Sequence, residues 1–124
     1  MGETDLAAKR TVATFDRSGF ERLHMDGCPP NQDTWWKVVS YDERSGQGSY
    51  LMIMGPGTVT NPHRHDGPEE WYMVEGDLVD NDGHVYRTGD FVSLAGGSVH
   101  NSHSPSGCKI VVTHRGPVVD LDTL

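Results

Sequence analysis

Positive charge is scarce in this chain. Ten Lys and Arg stand against 18 Asp and Glu, a formal net charge of −8. The ten basic residues are scattered singly, which argues against a nucleic-acid surface or an anionic membrane surface, since phosphate contacts need clustered Lys and Arg. Cysteine is equally sparse: Cys28 and Cys108 alone do not make a disulfide framework. No apolar run approaches the roughly 20 residues that a membrane helix needs. The N-terminus is polar and acidic rather than signal-like, and Leu6 stands where a myristoylation start wants Ser or Thr. The expectation is a soluble cytoplasmic protein with no nucleic-acid or membrane partner. Aromatics are few at 8%, and the hydrophobic share is 35%, low for a large solid core but workable for a small β-structure with an open cavity. No stretch shows a helical period, and no internal repeat is evident.

Glycine and proline, by contrast, are plentiful, at 15 and 7 residues. They punctuate short runs of strand composition. Residues 1–10 read as a loose tail, and 11–124 as one domain. Thr11 to Phe15 and Phe20 to Met25 are weak candidates, the first as an edge strand or dimer arm. Trp35 to Tyr41, Ser49 to Met54, Thr58 to His65 and Glu69 to Val79 follow as strands. Asn81-Asp82-Gly83 is a hairpin signal. His84 to Arg87, Asp90 to Leu94, Val99 to Ser102 and Cys108 to His114 complete the series. Short strands at near-regular spacing with turn chemistry between them predict an all-β antiparallel sandwich or barrel.

The chemistry concentrates in GTVTNPHRHDGPEEWYMVEG, from Gly57 to Gly76. His63 and His65 alternate, so on a strand both rings project from one face, about 7 Å apart along the chain. The turn Asp66-Gly67-Pro68 returns the chain alongside, with Glu69 near the start of the next strand. Glu70 should face the other way. If Glu69 points inward, so do Trp71 and Met73, as apolar walls of a pocket or simply as core. Tyr50, Met52 and Met54 share one strand face, Leu51 and Ile53 the other, and the sequence does not say which is inside.

The pattern Gly57-x5-His63-x-His65-x3-Glu69-x6-Gly76 resembles the first motif of the cupin superfamily at every fixed position. A second stretch, Gly89-x5-Ala95-x-Gly97-x2-His100-x3-Ser104, resembles the second motif. Ala95 stands where proline is usual, and Ser104 where asparagine is usual. The resemblance covers roughly residues 35 to 115 and implies a double-stranded β-helix, a jelly-roll-like barrel. Within the superfamily, HRHDGPEEWYMVEGDLVDNDG and the later GCKIVV are similar to the cupin half of ChrR-type anti-sigma regulators and to diketone-cleaving dioxygenase cupins.

By that resemblance, His63, His65, Glu69 and His100 ligate one divalent transition metal per chain. Three imidazoles and one carboxylate suit Fe(II), Mn, Ni, Co or Zn, and are too poor in thiolate to specify zinc. The favoured function is a non-haem Fe(II) dioxygenase taking O₂ and a small chelating carbonyl, enol or phenolic substrate, with Trp71 and Met73 lining the pocket. A Zn- or Mn-dependent isomerase, cyclase or lyase would use the same ligands, and a non-enzymatic ligand sensor is the third reading. His103 is the candidate acid or base, provided a bulge turns it inward, because three residues after His100 it belongs on the other face. His24, His84 and His114 are expected in solvent, and neither cysteine lies near the motif in sequence. A homodimer with exchanged N-terminal strands is implied by the resemblance.

Overall fold

The computed structural model describes residues 5–124. The first part of the expected tail therefore lies outside the described residues. The rest includes one exposed helical turn, α1 (Leu6–Lys9), capped by the Asp5 carboxylate, which accepts from the Ala7 N–H at 3.0 Å. No strand forms over Thr11 to Phe15.

Twelve strands follow among the described residues: β1 (Glu21–Arg22), β2 (Thr34–Val38), β3 (Gln47–Met54), β4 (Thr58–Val59), β5 (His63–His65), β6 (Glu69–Asp80), β7 (Val85–Arg87), β8 (Phe91–Leu94), β9 (Val99–His100), β10 (Ser102–Ser104), β11 (Cys108–Arg115) and β12 (Val118–Asp120). All pairings are antiparallel. A large curled sheet runs β1-β2-β3-β11-β6-β10-β4, with β7 and β8 also on β6, while β12-β5-β9 form a small second sheet. The molecule is a nearly all-β half-barrel of antiparallel curled sheet, with the small sheet beside the large one.

Two expected strands turn out to be pairs. Thr58 to His65 divides at Asn61-Pro62, because proline has no N–H for a ladder and holds the residue before it extended. Its first half joins β10 in the large sheet, and its second half, β5, crosses to the small sheet. Val99 to Ser102 divides at Asn101 in the same way, with β9 on β5 and β10 on β6. The short β12, after Gly116-Pro117, was not anticipated from sequence. These crossings put His63, His65 and His100 on the small sheet, opposite Glu69 on the large one.

The inner face of the large sheet follows strand alternation. Tyr50, Met52 and Met54 on β3 and Cys108, Ile110 and Val112 on β11 are all buried. Each such apolar side chain removed from water contributes about 1.5–3 kcal/mol. Strand β6 departs from alternation once. Lys109 pairs with Glu75 and Ile110 with Met73, so Val74 bulges out. The bulge flips the parity: Glu69, Trp71 and Met73 face inward before it, Leu78 and Asp80 after it. At the end of this bulge Gly76 has φ +87°, and a Cβ there would lie 1.9 Å from the Gly107 carbonyl oxygen, so only glycine fits. Ser104, in place of the usual asparagine, is buried and donates to the Asp77 carbonyl at 2.6 Å, which ties β10 to β6.

Candidate metal centre

His63 and His65 leave β5 on the same side, and both are buried. His100 pairs directly across from His63 in the β5–β9 ladder. The three rings turn their Nε2 atoms toward one point: His65 Nε2 is 3.1 Å from His63 Nε2 and 3.0 Å from His100 Nε2. Glu69 Oε1 completes the group at 3.0 Å from His65 Nε2 and 3.8 Å from His100 Nε2. Glu70, on the opposite face, pairs at 3.0 Å with Arg115 outside the cavity.

The far side of two rings fixes their tautomers. His63 Nδ1 lies 2.6 Å from the Asn61 carbonyl oxygen, and His100 Nδ1 lies 2.9 Å from Asp80 Oδ1. Both partners only accept, so each neutral ring carries its proton on Nδ1 and aims its Nε2 lone pair into the cluster. Burial pushes His63 down to about 4, with the neighbouring imidazoles adding to the shift, so this ring stays neutral. For His100, burial pulls downward, but the Asp80 hydrogen bond and charge, with Glu69 behind them, outweigh it and hold the ring above its ordinary value. Glu69 is held low despite burial by its His65 contact and the charges of His114 and His100. Two lone pairs and a carboxylate oxygen thus meet at His65 Nε2, which has at most one proton to offer. Such a donor set calls for a cation. Two donors at right angles around an ion about 2.1 Å away lie about 3.0 Å apart, the spacing that His65 makes with its neighbours. The cluster is compatible with a single metal ion.

Asp80 organises the back of the site, and sequence reasoning missed it. Regular alternation from Glu69 would turn it outward; the bulge at Val74 turns it in. Besides His100, it accepts from Ser102 Oγ at 2.5 Å and Tyr86 OH at 2.6 Å.

His114 is a correction to the expectation that it lies in solvent. It is 2% exposed. It follows Cys108, Ile110 and Val112 on the inner face of β11, an alternation already present in CKIVVTH. Its Nε2 lies 2.8 Å from Tyr50 OH and 3.5 Å from Glu69 Oε2. Burial first holds the ring below its ordinary value. His103 is the opposite correction. It is exposed between two inward serines, and β10 pairs regularly with β4 and β6, so no bulge turns it toward the cavity. His24 and His84 are exposed, as expected.

The cavity before the cluster is walled by Met52, Met54, Trp71, Leu78, Ile110 and Val112, with Tyr50 and His114 as its polar edge. Trp71 lines it. Met73 does not: it lies two residues farther along β6, about 7 Å, and is wholly inside the core. Cys28 also reaches the wall, brought there by the Met25–Cys28 turn, although it lies far from the motif in sequence. Burial, with Glu69 and Asp120 nearby, pushes its thiol up to about 12, so it remains protonated at neutral pH. In the same turn, a Cβ on Gly27 would lie 3.1 Å from His63 Cγ, so this backbone packs against the His63 ring.

No helix among the described residues is long and apolar enough to cross a membrane. No curated protein matches the chain by sequence. Solved structures share its fold at low identity. An acetylacetone dioxygenase from Acinetobacter johnsonii superposes with TM-score 0.76 at 15% identity, over 91% of this chain and 78% of that one. The polyketide cyclase RemF from Streptomyces resistomycificus gives 0.69 at 19%, over 93% and 88%. A cupin-like protein from Thermotoga maritima gives 0.64 at 18%, over 83% and 90%. A family model matches residues 21–119, and on that match the chain belongs to the ChrR Cupin-like domain family of the cupin superfamily.

Proposed function

We propose that this chain is a metal-dependent oxygenase, a non-haem Fe(II) dioxygenase acting on a small chelating carbonyl, enol or phenolic substrate, with His63, His65, Glu69 and His100 as the metal ligands. The observation that carries the reading is the convergence of three Nε2 atoms, with a Glu69 carboxylate oxygen 3.0 Å from that of His65, beside an apolar cavity. The likeness of fold to an acetylacetone dioxygenase supports the substrate class.

A ferrous ion there would supply Lewis acidity toward a bound enol and one-electron chemistry toward O₂. The chain's own residues do the rest. Asp80 and Asn61 hold two rings in the ligating tautomer. Trp71, Ile110 and Val112 keep water from the reacting carbons. The Tyr50–His114 pair sets a hydrogen-bonding edge on the far side of Glu69. The test is oxygen uptake by ferrous-loaded protein with acetylacetone and simple phenolic ketones, against protein loaded with zinc. Uptake that depends on iron and substrate supports the reading; none across the panel sinks it.

A Lewis-acid cyclase or lyase is the second reading. The same Tyr50–His114 edge favours it, being a proton-handling pair that needs no oxygen. Turnover that survives strict anaerobiosis with zinc or manganese would replace the first reading with this one.

A further inference from the structure

Trp71 carries a polar atom that the fold leaves unused. The residue is 2% exposed, and its indole Nε1 has no hydrogen-bond partner. An indole N–H buried without an acceptor costs about 1–3 kcal/mol, so folded proteins seldom retain one without a reason. The nearby alternatives are weak. Tyr86 stands perpendicular to the indole at 5.1 Å between centroids, and its phenolic oxygen does not accept from Nε1. Trp35 differs: its Nε1 donates to Asp33 Oδ1 at 2.6 Å.

The position of Trp71 supplies the reason. It lines the cavity, and its ring stacks with His100 at 6.4 Å between centroids, beside the Nε2 cluster. The cavity it shares is lined by apolar Met54, Leu78, Ile110 and Val112 and by polar Tyr50, Glu69 and Ser102, none of which accepts a hydrogen bond from Nε1.

We infer that the Trp71 indole N–H is a substrate-binding donor, and that the ligand of this cavity is a small organic molecule carrying an acceptor oxygen, a carbonyl or enolate, placed against it. This deepens the proposed function and rests on it for the position of the ligand, since a chelating oxygen pair beside His100 would bring one oxygen toward the indole. It also changes the role of Trp71 from apolar wall to polar anchor. A hydrocarbon of the same shape would leave the N–H unsatisfied and be rejected.

The experiment uses nitrogen-15-labelled full-length protein loaded with zinc, with acetylacetone as the probe. Trp71→Phe assigns the indole N–H signal and removes the donor while retaining an aromatic wall. The expected result is a downfield move of the Trp71 indole proton at saturating acetylacetone with Trp35 unmoved. Acetylacetone affinity should fall about five- to tenfold in Trp71→Phe, at unchanged zinc content. If none of the three indole signals moves downfield at saturation, the inference is overturned, even if Trp71→Phe fails to fold. Absence of acetylacetone binding to the zinc protein overturns it too. If the protein retains no metal, it is the ligand assignment that fails. The same titration of metal-free protein then decides the inference separately, a moved indole signal supporting it and an unmoved one ending it.

Discussion

Truncating Asp80 should damage the site more than any other change behind the cluster. The carboxylate is 7% exposed and accepts three hydrogen bonds, from His100 Nδ1, Ser102 Oγ and Tyr86 OH. Asp80→Ala strands all three donors. At about 1–3 kcal/mol for each buried group left unpartnered, less what cavity water restores, the loss should be about 3–5 kcal/mol. That corresponds to a fall in Tm of about 10–20 °C for a domain of this size. His100 also loses the partner that fixes its tautomer, so metal affinity should drop about 10–100-fold. Asp80→Asn separates the two effects. It retains an oxygen for His100 and Ser102 but removes the charge, so stability should fall by only about 1–2 kcal/mol while metal affinity still weakens. The assays are a thermal melt of metal-free protein and a competition titration against a chromogenic chelator. An Asp80→Ala protein that melts within a degree or two of wild type and binds metal as tightly would mean that the carboxylate neither supports the fold nor positions His100.

Three further outcomes follow from the same geometry. Gly76→Ala should cost more than about 3 kcal/mol or prevent folding, because its Cβ would meet the Gly107 carbonyl oxygen at 1.9 Å at a φ of +87°; expression and a urea melt check it. In metal-free protein, the Asp80–His100 contact should stabilise most in mildly acidic solution. Asp80 is depressed below 3.8, so its share is present above that pH and lost as pH falls through its folded value. His100 is raised above 6.5, so its share is full below 6.5 and lost as pH rises through its folded value. The difference in Tm between wild type and Asp80→Asn should therefore peak between about pH 4 and 6.5; a flat difference across pH 4 to 9 would contradict it. His103→Ala, on the exposed face of β10, should leave metal content and any turnover unchanged, measured by elemental analysis and oxygen uptake.

Much of this architecture was legible because its signals are local. Alternation placed His63 with His65 and set Glu69 against Glu70, and turn chemistry marked most of the strands. Three features escaped for physical reasons. The Val74 bulge leaves no mark in composition, yet it flips the parity of β6 and carries Asp80 inside. The crossing at Asn101 exchanges one sheet for another without interrupting the β-character of the sequence, and the one at Asn61-Pro62 carries only a proline, which marks a break but not the change of sheet beyond it. Cys28 comes to the cavity wall through a turn whose position depends on the small sheet beside it. His114 was different, since the alternation Cys108, Ile110, Val112, His114 was present in the sequence to be read. The expectation that a lone histidine lies in solvent prevailed over that pattern.

The most direct test of the account is elemental analysis of untagged protein beside a His63→Ala, His100→Ala double variant, both shown to be folded. The account predicts a near-stoichiometric divalent transition metal in the wild-type chain and its loss in the variant. Equal metal in the two proteins, or none in wild type even after anaerobic loading with Fe(II), would contradict it.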